Sequence, residues 1–179
     1  MTTFHRLLVS VILVAAQAGC TPDTPVTEQA PPPANPFLTA LNEPVAKGDV
    51  TADHVTEYAR IVLERSEEQL AVLKSVTNPT FESVIVALDD ISGEISKCMS
   101  NAWMLYWVSP DEATRDAGIA AYQQLEVWTL GVYSDKDLYA QVQAVADAGG
   151  LPAVEEKLVA DLILAMQQTG VDLAAEDQE

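Results

Sequence analysis

Histidine is nearly missing from this chain of 179 residues, which has only His5 and His54. His5 falls in a segment read below as a leader, so no zinc site of the two-histidine type can be assembled, and no HExxH helix occurs anywhere. A Ser-His-Asp relay would rest on His54, and no GxSxG elbow accompanies it. Basic residues are scarce too: nine Lys and Arg stand against 27 Asp and Glu, a formal charge of −18. Phosphate contacts need clustered Lys and Arg, so nucleic acid is excluded as a partner, and so is adhesion to anionic lipid through a polybasic face. What is plentiful is apolar side chain, 49% of residues, enough for one domain with a real core. Composition points away from a self-contained hydrolase and away from disorder throughout.

Residues 1–19 read as an export signal. His5 and Arg6 form a positive start, and Leu7 to Ala16 an apolar run of ten residues. Ten residues at 1.5 Å each do not span a hydrocarbon core of about 30 Å, so the run is not a transmembrane helix. Two processing routes compete behind it. Ala16-Gln17-Ala18 satisfies the A-x-A rule for ordinary cleavage, whereas Ala18-Gly19-Cys20 resembles the end of a bacterial lipobox with Gln17 in place of the usual Leu. Thr21 to Pro36 holds six prolines in sixteen residues, an extended spacer of the kind that holds a domain off a membrane. The lipoprotein reading, with Cys20 as the lipid-attachment residue and residues 20–36 as anchor and linker, is preferred to a freely secreted product. Cys98 is the other cysteine. A Cys20–Cys98 disulfide is formally allowed, but lipidation would consume one partner, and Cys98 lies on an apolar stripe as expected of a buried free thiol.

From residue 50 onward the apolar pattern is helical, with no alternating strand and no internal repeat. Val55, Ala59, Val62, Ser66, Leu70 and Leu73 share one face of a first helix, which Asn78-Pro79 stops. Thr80 caps a second, with Glu82 in its first turn and a stripe of Phe81, Val84, Leu88, Ile91, Ile95, Cys98, Ala102 and Tyr106. Met99, Trp103 and Trp107 widen that stripe, which predicts burial on more than one side. Ser109-Pro110-Asp111-Glu112 reads as a capping box opening a third helix along Ala113, Ala117, Ala121, Leu125, Trp128 and Val132. Its small residues would let another helix approach closely. Ser134 is expected to cap a shorter helix through Leu138, Val142 and Val145, ended by Gly149-Gly150. Pro152 starts a fifth, with Val154, Leu158, Leu162, Ala165 and Met166 inward and Gly170 as terminator. The expected fold is all-α: about five helices in an antiparallel array over residues 37–179.

Each candidate site has a plainer explanation. His54 beside Asp53 and Glu57 has no nameable convergent partners, and a surface histidine in an acidic turn accounts for it. Asp135-Lys136-Asp137 lacks the Gly and distal Glu of a calcium loop, and acids at a helix start account for it. Trp103, Tyr106, Trp107, Trp128 and Tyr133 would suffice for a binding groove, but packing between the second and third helices is the expectation. Cys98 and His54 sit on different helices with nothing to align them. No catalytic or metal-binding residue is named.

Several stretches nevertheless resemble one family. Asn35-Pro36-Phe37-Leu38 looks like the opening of the M3 zinc oligopeptidases, the group of thimet oligopeptidase, oligopeptidase A and peptidyl-dipeptidase. Val50-Thr51-Ala52-Asp53-His54-Val55 resembles that family's I-x-P-E-H-Y entry into its first long helix. Asn78-Pro79-Thr80-Phe81-Glu82-Ser83-Val84-Ile85, followed by Ala87-Leu88, is similar to its P-T-F-E-N-T-I segment. Val108-Ser109-Pro110-Asp111 with Arg115-Asp116-Ala117 looks like V-S-P-D…R-D/E-A of the thimet branch. Leu158 to Leu173 is similar in spacing to L-I-x-x-x-R-x-x-G-x-x-L, with Gln167 and Gln168 in the basic stretch. The match spans residues 35–179.

The resemblance implies the N-terminal helical part of such an enzyme, one wall of a channel that admits short unstructured peptides. Family members are several times longer, and their HExxH helix, third glutamate ligand and substrate-positioning Tyr and His have no matching position here. Zinc belongs to the full-length family, not to this chain. Asp177-Gln178-Glu179 falls inside what would be a continuing family segment. Three expectations arise: the front portion of an envelope-located M3 oligopeptidase, inactive alone and partnered by a missing catalytic domain; a stand-alone membrane-anchored lipoprotein that binds peptides or proteins; or an acidic helical domain without a ligand. Under the first, helices that lean on a larger body should leave apolar surface exposed.

Overall fold

A computed structural model describes residues 35–38 and 50–173, all of them within one unit running from Ala34 to Glu179. The leader, Cys20, the linker up to residue 34, residues 39–49 and the last six residues lie outside the described residues. Asn35 and Pro36, grouped above with the linker, already belong to the folded unit: Asn35 Nδ2 donates to the His54 carbonyl at 2.8 Å and to Glu57 Oε2 at 3.1 Å.

The fold is all-α, with no strand among the described residues. Helix α1 spans Ala52–Lys74 and buries Val55, Ala59, Val62, Ser66, Leu70 and Leu73, the expected stripe, with Tyr58 beside it. Asn78-Pro79 breaks the chain, and Thr80 caps the next helical segment, its hydroxyl accepting from Ser83 N at 3.1 Å. The cap leads first into a π-turn, Phe81–Val86, and then into α2, Ala87–Val108. The wider turn carries one more residue per hydrogen-bonded ring, and the neighbours Val84 and Ile85 are both buried.

Helices α3, Glu112–Tyr133, α4, Lys136–Ala148, and α5, Ala153–Gln167, complete the order. Glycines with positive φ come after the last two, at Gly149, Gly150 and Gly170. Helices α1, α2 and α3 pack against one another, and α4 docks on α1 and the π-turn and carries α5. One core joins the first half of α1 to the second half of α2 and the first half of α3; the other joins the opposite ends of these helices to α4 and α5. Helix α2 is thus central and antiparallel to both neighbours. No described helix is long and apolar enough to cross a membrane.

Four local expectations are corrected. Ser109 does not cap α3. Asp111 does, because its carboxylate accepts from both Thr114 N (2.8 Å) and Thr114 Oγ1 (2.7 Å), while Ser109 ends α2. The start of the α3 stripe shifts with it: Thr114 and Gly118 are buried, Ala113 is exposed and Ala117 half-buried. Asp135, not Ser134, caps α4, accepting from Asp137 N and Leu138 N at 2.9 Å each. On α5 the inward line is Val159, Leu162, Ile163 and Met166, whereas Val154 is 82% exposed and Leu158 half exposed. That helix is apolar nearly all round, so its sequence period does not fix which face meets α4.

Asp135 also reaches across to α1, where Lys74 Nζ donates to Oδ2 at 2.7 Å. Burial alone would raise the Asp135 pKa, but the Lys74 hydrogen bond, the two backbone donors and the Lys74 charge outweigh it and hold the carboxyl below its ordinary value. A depressed folded pKa contributes stability that is present above the unfolded value near 4 and is lost as pH falls through the folded one. Asp135→Ala is therefore expected to cost ~1–2 kcal/mol at pH 7, from a lost cap and a half-exposed ion pair. Asp135→Asn should keep most of the cap. Urea melts at pH 7 and pH 3 check both: the penalty of the Ala variant should shrink at pH 3.

Candidate functional site

The aromatic residues singled out from the sequence divide into two groups. Trp128 and Tyr133 pack against the core as expected, and Trp128 Nε1 donates to Glu67 Oε1 at 3.0 Å, tying α3 to α1. Trp103 and Trp107 do not pack inside. They are 43% and 64% exposed, and Leu105 fills the inward position instead. The reason lies in helical phase: Ile91, Cys98 and Leu105 are each seven apart and share one face, which turns Trp103 and Trp107 outward. Tyr106 is half-buried between them.

Tyr122 joins this group from α3. Its ring centroid lies 4.9 Å from that of Trp103, which in turn lies 5.8 Å from Tyr106 and 5.7 Å from Trp107; Tyr106 and Trp107 are 5.0 Å apart and edge to face. Tilted and edge-on pairs at these distances suit the ring quadrupoles, so the four rings form a self-supporting cluster open to solvent on one side. Gly118, one turn before Tyr122, is what brings α3 in: an added Cβ there would sit 2.7 Å from the Ala102 carbonyl oxygen and 3.0 Å from Tyr106 N. Beside the cluster, Ser96, Met99, Ser100, Trp103 and Tyr122 line an open hollow of about 290 Å³. The close approach of α3 to α2 is made at Gly118, which the expected stripe of Ala113, Ala117 and Ala121 did not include. Nothing in the aromatic spacing on α2 indicated Tyr122; the available signal was its four-residue offset from that glycine.

The remaining candidates take structural places. His54 Nδ1 accepts from Thr51 N (3.3 Å) while Thr51 Oγ1 accepts from His54 N (3.4 Å), a reciprocal cap on α1. In the Asp135-Lys136-Asp137 run, Asp135 caps and Lys136 Nζ donates to the Leu173 carbonyl at 3.2 Å. Cys98 is free and buried, and burial, with Glu94 nearby, pushes its thiol up to about 12, so it is not a thiolate near neutrality. It does not meet His54, which sits at the start of α1. Among the described residues no three His, Cys, Asp or Glu side chains converge on a metal position. Cys20 lies outside the described residues.

The outward tryptophans carry a direct expectation. Trp107→Ala should cost no more than about 1 kcal/mol, because the ring is mostly solvated and only its edge-on contacts with Trp103 and Tyr106 are lost. It should also weaken binding of a hydrophobic dye, measured by fluorescence titration, whereas Trp128→Ala should lower the melting temperature.

No family model matches this chain, and no curated protein matches it either.

Proposed function

We propose that this chain is the N-terminal, channel-wall portion of an exported M3-like zinc metallo-oligopeptidase acting on short peptides, without catalytic power of its own. The observation that carries the reading is positional. Four of the five stretches that resemble the family fall where a helix is started or where the leading segment docks: residues 35–38 lie on α1, 50–55 cap it, 78–85 open α2, and 108–117 turn α2 into α3. The fifth covers most of α5 and the turn after it. In the α2–α3 turn Arg115 donates to the carbonyls of Ser109 (2.9 Å) and Pro110 (3.1 Å), which gives the spacing from Ser109 to Arg115 a mechanical reason. The outward, mutually contacting Trp103 and Trp107 are apolar surface of the kind a catalytic body would cover.

On this reading Cys20 carries a lipid, the proline-rich segment spaces the domain from a membrane, and the enzyme works in the cell envelope. Zinc would be held by the part of the enzyme that carries HExxH. The residues described here do not supply a ligand set, so no step through the metal is assigned to them.

Reading the gene past codon 179 tests the proposal. An in-frame HExxH supports it, and so does absence of zinc-dependent peptide hydrolysis by the 179-residue chain. A stop codon with no HExxH frame downstream would sink it. The solvent-open aromatic cluster favours a second reading in that event, a stand-alone envelope lipoprotein that binds peptides or proteins, which peptide titration would then examine.

A further inference from the structure

A cleft of about 400 Å³ opens where the Asn35–Leu38 segment meets α1 and α2, away from the aromatic cluster and within the size range of small-molecule sites. Leu38, 43% exposed, is its open apolar wall, with the buried Phe37, Tyr58 and Val62 behind; Arg65 and Gln69 line it from α1, and Glu94 from α2. Among the described residues Arg65 and Glu94 form no ion pair with each other, and neither side chain makes a hydrogen bond. Of the other two described arginines, Arg60 pairs with Glu64 at 2.7 Å and Arg115 holds two carbonyls. Both unbridged charges act on the Tyr58 hydroxyl, which is buried without a partner: burial raises its pKa most, Cys98 and then Glu94 raise it further, and Arg65 lowers it.

We propose that this cleft binds a small zwitterion with an apolar side chain, a free amino acid or a short unblocked peptide. The carboxylate sits in the Arg65 fork with Gln69 as a further donor, the ammonium sits on Glu94, and the side chain lies against Leu38. A simple anion would face Glu94 and a simple cation would face Arg65; a ligand with both charges satisfies each. The inference stands independently of the peptidase reading, since it uses only the two walls and their charges.

Calorimetric titration of the full chain tests it with L-leucine, Leu-Leu, N-acetyl-Leu-Leu and Leu-Leu amide. The expected result is saturable binding of an unblocked ligand, weakened tenfold or more by blocking either end. Preference between leucine and Leu-Leu separates an amino-acid site from a peptide-end site. Arg65→Gln and Glu94→Gln should each weaken binding tenfold or more with an unchanged melting temperature, since Arg65 is exposed and Glu94 only half-buried; Arg65→Lys should keep part of it. The proposal is overturned if none of the four compounds gives a saturable isotherm. It is equally overturned if blocked and unblocked forms bind alike, or if the Gln variants bind as tightly as the parent.

Discussion

Gly118→Ala is expected to destabilise the fold by about 2 kcal/mol, although alanine is the better helix former by about 1 kcal/mol. The glycine lies where α3 crosses α2, and a Cβ there would stand 2.7 Å from a backbone oxygen and 3.0 Å from a backbone nitrogen. Neither atom is the end of a flexible side chain, so relief requires the two helices to separate. Separation would loosen Ala102, Ala121 and Leu125, which share one core. It would also draw Tyr122 from Trp103 and open the aromatic cluster. Gly131, further along α3, supplies the comparison: nothing lies within 4 Å of its added Cβ. Gly131→Ala should stabilise by roughly 0.5–1 kcal/mol through helix propensity alone. Thermal melts of the two variants should move in opposite directions, with a fall of roughly 6–10 °C for Gly118→Ala. A neutral or raised melting temperature for that variant would mean that the helices are not held this closely.

Phe37→Ala should cost still more, about 3–5 kcal/mol, the usual range for emptying a buried aromatic site. Phe37 is 1% exposed, stacks on Tyr58 with centroids 5.2 Å apart, and belongs to the core of α1, α2 and α3. Its placement depends on Asn35, whose side chain accepts from Phe37 N at 3.1 Å while donating to α1. Residues 35–38 are thus part of the core although they precede the first helix. Denaturant titration of Phe37→Ala and Asn35→Ala measures both, and the asparagine variant should lose less, about 1–2 kcal/mol, because hydrogen bonds are removed and no cavity is made. A loss below about 1 kcal/mol for Phe37→Ala would show the segment to be dispensable. Both variants should also weaken any ligand held in the cleft, since Phe37 is part of its wall.

The helical pattern was legible wherever apolar residues recur against a polar background. On α1, where charged residues fill the outward positions, the stripe from Val55 to Leu73 is the buried face. On α5 the same reasoning placed Leu162 and Met166 inward correctly but put Val154 and Leu158 there in place of Val159 and Ile163, because apolar residues surround the axis and several phases fit equally. Caps were legible at Thr80, which stands immediately before the helix and is set off from Asn78 by Pro79. They were misread where two acceptors are close together, Ser109 with Asp111 and Ser134 with Asp135: in both cases the carboxylate nearer the helix makes the bonds. The candidate sites were less legible still. The outward turn of Trp103 and Trp107 depends on which side of α2 faces both its neighbours. The cleft depends on residues 37, 65 and 94, which no local pattern connects.

The sequence by itself determined that the described chain is helical, where its helices break, and that it contains no HExxH. Those properties come from residue type and spacing along the chain, through propensity, capping and periodicity. Tertiary structure alone decided that four rings from two helices meet at the surface, that Phe37 enters a core it precedes, and that Arg65 and Glu94 line one cleft without pairing. These are contacts between elements, and their distances are set by how closely helices can approach, as at Gly118, which no one-dimensional pattern specifies.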